Sequence, residues 1–238
     1  MRPARSLAKY LAGLGYGSRK DMETAIADGR VTGKSGDPFM PRADWPDFVE
    51  HLSFDGDPLD PPPGMILMLH KPTGYTCSRA DQGQLVYELL PPRFLARKPA
   101  LSSIGRLDAD TSGLLLFTDD GPLLHRLISP KSNLPKTYDA TLARPLEGHE
   151  ADLFDSGELV LRGETKPILP AKLEVTGDRS ARLTLTEGRY HQVRRMFAAA
   201  GNHVETLHRS QFGPLTLGDL PAGHWRLLTA SECTKLHA

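Results

Sequence analysis

The stretch DPLDPPPG, residues 57–64, carries four prolines in eight positions. Proline lacks a backbone donor and fixes φ near −65°, so neither a helix nor a central strand can run through such a segment. The stretch is expected to be a stiff, extended linker. It divides the 238-residue chain into a short part, residues 1–62, and a long part, residues 63–238. That length suits one small and one medium domain.

The two parts differ in pattern. In the first, Leu7, Leu11 and Leu14 share one helical face, Gly15 and Gly17 break it, and Ser18 is a natural cap for a second helix burying Met22, Ala25 and Ile26. Gly29 ends that helix and a strand-like start follows, while residues 34–47 read as an irregular loop. The second part is strand-rich. MILMLHKP, GLLLFT, KTYDATL, ARLTLTEG, HVETLHRS, GPLTL and HWRLLT are predicted strands, and GPLLHRLISP and HQVRRMFAAAG predicted helices. The expected class is α+β.

Composition narrows the function. No apolar run approaches a membrane span, and MRPARSLAKYLAGLGYG lacks the core and cleavage site of a secretory signal, so none is expected. Cys77 and Cys233, without a CxxC pair, argue against a disulfide or zinc framework and fit a reducing cytoplasm. The formal net charge is zero, but its distribution is uneven. Residues 1–34 hold seven basic residues against three acidic ones, residues 35–60 reverse the balance, and residues 179–209 hold six arginines against Glu187 and Glu205. A basic run is ordinarily a solvated face. Two separate islands are also the footprint of local nucleic-acid contact.

GRLDADTSGLLLFTDDG, residues 105–121, sets four aspartates around an apolar run. Three chemistries compete for it. Asp108, Asp110, Ser112 and Gly113 match the opening of a calcium-binding EF-hand loop, but position twelve is Asp119 rather than glutamate, and flanking helices are missing from the pattern. DADT matches the DxDxT of metal-dependent phosphoaspartate enzymes, yet there the apolar strand precedes the first aspartate and here it follows. The third reading makes one aspartate a metal-free nucleophile; a plain turn-capping role is the bland alternative.

The same stretch resembles the core motif of the pseudouridine synthases, G-R-L-D-x-x-S/T-S/T-G-L. LHKPTGY is similar to their N-K-P-x-G strand, with His70 in place of asparagine. PKTYDATL resembles their K-x-Y segment, EGRYHQVRRMFAAAGNHVETLHR their basic helix, and WRLLTASE their R-x-L-S/T-x-x-E ending. The five segments are collinear over residues 65–232. RYHQVRRM is most similar to the branch acting on small-subunit (16S) ribosomal RNA. The N-terminal helix pair resembles an S4-like RNA-binding domain up to Val31 and departs from it thereafter.

The resemblance implies a pseudouridine synthase fold, a mixed and mainly antiparallel sheet flanked by helices, behind a small helical S4-like domain. It implies an isomerase that detaches uracil at N1, turns it and rejoins it at C5, with no cofactor and no metal. Asp108 is the implied nucleophile, a carboxylate being able both to attack and to leave. Arg194 is its implied ionic partner, since a buried carboxylate without one loses its charge. Arg106 is implied to fill the gap left by a flipped base and Tyr138 to face the uracil. Lys71 is placed at the pocket rim and Lys136 on a phosphate. Arg19, Lys20 and Arg30, with Arg189, His191 and Gln192, complete the expected RNA-binding set, while His203 and His208 read as solvated or RNA-facing. The expected partner is ribosomal RNA or a pre-ribosomal small-subunit particle, met in the cytoplasm by a monomer, with no membrane. A large-subunit (23S) enzyme of the related branch and a non-catalytic ribosome-assembly protein are the alternatives.

Overall fold

The computed structural model describes residues 7–33, 36–38, 51–78, 80 and 82–237. Arg2, Arg5 and Lys34 of the first basic island, and all but 36–38 of the loop expected at 34–47, lie outside the described residues. The chain forms two compact units. One holds the described residues up to Met65 together with Leu90–Ser102 and Thr118–Gly121; the other holds Ile66–Leu89, Ser103–Phe117 and the chain from Pro122 onward. Residues 90–102 and 118–121 thus cluster with the N-terminal segment although they follow the linker in sequence.

In the first unit, α1 (Leu7–Leu14) and α2 (Arg19–Ala27) bury the faces that their leucine and methionine spacing marks. Ser18 and Asp21 form a reciprocal capping box: Ser18 Oγ accepts from Asp21 N at 3.2 Å and the Asp21 carboxylate accepts from Ser18 N at 2.8 Å. β1 (Val31–Thr32), β2 (Ser53–Phe54) and β3 (Asp57–Pro58) form a small antiparallel sheet. The proline-rich segment therefore begins inside a strand, with Pro58 at the sheet edge, where a missing donor costs least. Its later part is pinned from α3 (Pro92–Leu95) and the residues after it. Arg97, with its side chain 1% exposed, donates to Asp119 at 2.8 and 2.9 Å and to the Pro61 carbonyl at 2.9 Å. The other Asp119 oxygen accepts from Gly64 N at 2.7 Å. Asp119 is a buried anchor.

The second unit is built on a nine-stranded sheet among the described residues, ordered β10-β11-β9-β12-β8-β4-β14. Its strands are β4 (Ile66–Lys71), β7 (Ser102–Ile104), β8 (Thr111–Thr118), β9 (Lys136–Leu142), β10 (Lys172–Gly177), β11 (Ser180–Leu185), β12 (Val204–Phe212), β13 (Leu215–Thr216) and β14 (Trp225–Leu227). β7 adds to β8 and β13 to β12. β5 (Tyr75–Thr76) and β6 (Gln84–Leu85) pair separately. The β12–β8 contact is parallel, while β10–β11, β11–β9, β9–β12 and β4–β14 are antiparallel, so the sheet is mixed and mainly antiparallel. The helices are α4 (Gly121–Ile128), α5 (Glu150–Asp155), α6 (Gln192–Ala199) and α7 (Ala230–His237). Among the described residues no helix is long and apolar enough to cross a membrane.

Among the described residues, two of the apolar clusters lie in this unit. Phe154 of α5 and Phe197 of α6 meet edge to face at 5.3 Å within one, which packs under β9, β11 and β12. Ile66, Met68, Leu114, Leu116, Leu123 and Phe212 belong to the other. Gly113 fixes the β8–β12 seam. Its φ is +117°, and a Cβ there would lie 2.3 Å from the Arg209 carbonyl oxygen. Only glycine lets the two backbones meet this closely.

Candidate active site

The turn between β7 and β8 carries Gly105–Asp110, and it is held from below by the HKPTG segment. Lys71 closes β4 fully buried, contrary to its expected place on the rim. Its Nζ donates to the carbonyls of Thr111 at 2.7 Å, Asp108 at 3.0 Å, Pro72 at 3.1 Å and Ala109 at 3.4 Å. Gly74 N adds a bond to the Ala109 carbonyl at 2.7 Å. The motifs around residues 70 and 108 are thus one object, a turn and its bracket. Burial pushes the Lys71 ammonium below the ordinary lysine range, and the nearby charges on Asp108 and Asp110 oppose that shift. No RNA contact is open to it.

Above the turn lies a cavity of about 550 Å³, a volume suited to a nucleotide-sized ligand. Arg106, Asp108, Lys136, Tyr138, Arg189, His191 and Gln192 all line it. Tyr138 is brought there by register: it lies opposite Arg209 on β12, which in turn lies opposite Gly113 on β8. Arg106 is exposed at the mouth and makes no ion pair among the described residues. The Asp108 side chain is 33% exposed, so the carboxylate keeps part of its water.

The expected Asp108–Arg194 pair is replaced by two others. His191 Nε2 lies 3.4 Å from Asp108 Oδ1, and Arg194 Nη2 lies 2.9 Å from Asp110 Oδ2. Arg194 also donates from Nη1 to the Val204 carbonyl at 2.7 Å. It braces the turn that carries Asp108 through the neighbouring aspartate and is not among the cavity-lining residues. A partly hydrated carboxylate does not need the direct partner that a buried one would. His191, expected on RNA, instead meets Asp108. It caps α6 with φ +48°, an uncommon conformation for a residue with a Cβ, and its ring stacks on exposed Tyr190 at 3.9 Å.

Two other expected RNA contacts are already occupied. Arg189 pairs with Glu164 and with Glu187, the latter at 3.1 Å, and donates to the Lys166 carbonyl at 2.9 Å. Gln192 is buried, accepting from Arg189 N at 2.8 Å and donating to Glu187 at 2.6 Å. Both fix the loop before α6. Lys136 lines the cavity, as a phosphate contact requires, with Nζ donating to the Thr186 carbonyl at 3.3 Å. In the first unit Arg19, Lys20 and Arg30 are exposed. Arg19 pairs with Glu23 at 3.0 Å and Arg30 with Asp55 at 2.6 Å, exposed bridges of little strength.

His208 differs from its solvated expectation. It faces the opposite side of the sheet, half-buried, 2.9 Å from Ser112 Oγ and edge-on to His70. Burial and His70 together lower its pKa from the ordinary histidine value. Arg209, which sequence reasoning did not single out, is buried and lines the cavity.

Residues 65–199 match the family model described as RNA pseudouridylate synthase. Ribosomal small subunit pseudouridine synthase A of Pasteurella multocida is 47% identical over 171 residues, covering 71% of this chain and 72% of that protein. The Escherichia coli K12 protein of the same name is 43% identical over 209 residues, covering 86% and 85%. A crystal structure of a pseudouridylate synthase superposes with TM-score 0.68 at 39% identity, covering 97% of this chain and 99% of the other.

Proposed function

The chain belongs to the RNA pseudouridylate synthase family, and from that premise we propose that it isomerises a uridine of small-subunit (16S) ribosomal RNA to pseudouridine. The observation that carries the reading is the convergence of Asp108, Tyr138 and Arg106 on one cavity, with the Asp108 turn held rigid by Lys71. A base leaves its stack at a cost of a few kcal/mol, and exposed Arg106 at the mouth is positioned to take its place. Asp108 attacks the flipped nucleotide at the ribose C1′ or at uracil C6; the N1–C1′ bond breaks, C5 joins C1′, the C5 proton is lost while N1 gains one, and the carboxylate leaves again. Tyr138 offers a ring face to the uracil and a hydroxyl to move a proton during its rotation. Arg194 keeps the turn in shape through Asp110.

Residues 1–62 are assigned as the S4-like RNA-binding part, with 63–238 as the catalytic part. Arg19 and Arg30 exchange weak bridges for phosphates as RNA arrives, and exposed Lys20 adds a third cation. The enzyme works as a monomer in the cytoplasm, on ribosomal RNA or a pre-ribosomal small-subunit particle.

Asp108→Asn is expected to abolish pseudouridine formation while changing RNA affinity little. Carbodiimide mapping of ribosomal RNA from a strain lacking the protein should show one missing site in the small subunit. Full activity of the variant would refute the nucleophile, and a missing site in the large subunit would transfer the protein to the related branch.

A further inference from the structure

Arg209 is 3% exposed, yet it faces no carboxylate within ion-pair distance among the described residues. Among the described residues its one side-chain hydrogen bond runs from Nε to the Leu114 carbonyl at 2.8 Å, and Nη2 is buried without a partner. The guanidinium sits 5.5 Å from the Phe212 ring centre, and Lys136 Nζ sits 5.9 Å from the same ring. Two cations therefore converge on one wall of the cavity. Burial pushes the Lys136 ammonium below the ordinary lysine range, with Arg209 pushing the same way and Glu187 opposing both. Thr111, on the same sheet face, has a buried Oγ1 that is likewise unpartnered.

Neither Asp108 nor Glu187 forms an ion pair with Arg209 or Lys136, although the Glu187 charge acts on Lys136 from a distance. Asp108 meets His191, and Glu187 is engaged by Arg189 and Gln192. A buried guanidinium without a counter-ion is costly, and an unfilled buried donor adds to that cost. Such a group is retained where a ligand completes it.

We propose that Arg209, with Lys136 and Thr111, forms an anion subsite in the cavity wall that takes a backbone phosphodiester of the RNA strand beside the flipped uridine. The assignment rests on the pseudouridine synthase reading for its ligand. A uracil carbonyl would satisfy a hydrogen bond but neutralise neither cation, whereas a phosphodiester does both. Arg209 is then a positioning residue, drawing the strand in so that the ribose and base reach Asp108.

The test is equilibrium binding of transcribed small-subunit ribosomal RNA by the full chain at several salt concentrations. Wild type is compared with Arg209→Gln and Lys136→Gln. Losing one charged contact should weaken binding by roughly tenfold or more. It should also flatten the log K against log salt slope by roughly 0.7–0.9. Inorganic phosphate at constant ionic strength should raise the wild-type Tm more than that of either variant. Lys136→Gln, at a partly exposed position, decides the matter if Arg209→Gln does not fold. An unchanged slope in a folded variant overturns the subsite, including where affinity falls, since a neutral contact would behave so. Pseudouridine formation is measured on the same RNA with wild type. A wild type that converts no uridine removes the functional reading, while the slope still decides the subsite.

Discussion

Lys71 closes a buried strand with its ammonium turned toward four carbonyl oxygens, two of them in the turn that carries Asp108 and a third on Thr111, where the next strand begins. An ammonium has three donors and no acceptor, so it gathers carbonyls that would otherwise repel one another. Its worth to the reaction lies in where it holds Asp108. Lys71→Met keeps the apolar stem and removes the clamp. Its expected effect is a kcat lowered by about 100-fold, the cost of a misplaced reacting group, with RNA affinity within about twofold of wild type. Single-turnover rates beside filter binding measure the two. An unchanged rate would show that the turn holds itself. At this scale the sequence was legible in position: Asp108, Tyr138 and Arg106 all line one cavity, as their motifs imply. It was misleading where a charged or polar residue type stands for a solvated one. Lys71, Arg189 and Gln192 were read as RNA contacts, and each is spent on backbone or carboxylate groups of its own chain. Arg209 was hidden for a related reason. Register shifts on β12 between Val204 and Thr206 and between Arg209 and Gln211 break the simple alternation that would have marked it as inward-facing.

Elements long enough to show a period were legible: α1, α2, α6, β4, β8, β9 and β11 all lie where their apolar spacing predicts. α4, β12, β13 and β14 also lie in segments read as helix or strand, while α5, β10 and α7 were missed. α5 has six residues and β10 has a largely exposed pattern, so neither offers a face to read. α7 was seen only as a motif ending, although its start is written in the sequence as Thr-x-x-Glu. Thr229 N donates to Glu232 at 2.8 Å, and Glu232 N donates to Thr229 Oγ1 at 3.2 Å, a capping box. Arg226 reaches the same carboxylate at 2.7 and 2.8 Å from β14, tying helix to sheet. The Arg226 guanidinium holds Glu232 at about 2 against the ordinary 4.5, burial opposing and Thr229 assisting. A carboxylate with a depressed folded pKa adds stability that is complete above the unfolded value. That stability is lost as pH falls from 4.5 toward about 2. Between pH 6 and pH 3 wild type should therefore lose about 2 kcal/mol more than Glu232→Gln. Urea unfolding of both proteins at the two pH values reads the difference directly, and equal losses would remove Glu232 from the acid response.

At the scale of the whole molecule, the proline-rich segment looks like a place to cut, and its hydrogen bonds argue otherwise. Within the first compact unit, Asp60 pairs with Arg93 at 2.5 Å, Pro61 accepts from Arg97 at 2.9 Å, and Gly13 accepts from Lys98 N at 2.8 Å. Gly15 packs so closely that a Cβ there would lie 2.0 Å from the Arg93 carbonyl oxygen. Residues 90–102 are therefore folded together with the segment that precedes the linker. Prolines stiffen a chain and stop its regular elements, but they do not say whether the segment is free, and that is why the sequence reads as a separable front piece. A truncation lacking residues 1–62 should leave the buried Arg97 short of an acceptor and uncover the apolar side of α3. Losing these contacts should cost several kcal/mol, or at about 2–4 °C for each, a Tm lower by roughly 10 °C or more. The loss of RNA binding in that truncation would then mix missing contacts with a damaged fold. Charge reversal at Arg19 and Lys20, both exposed on α2, separates the two: it should weaken RNA binding and flatten its salt dependence while leaving Tm within about 2 °C, as surface changes do. A truncated protein that melts with the full chain would show that residues 90–102 stand without their partners and that the linker is a true boundary.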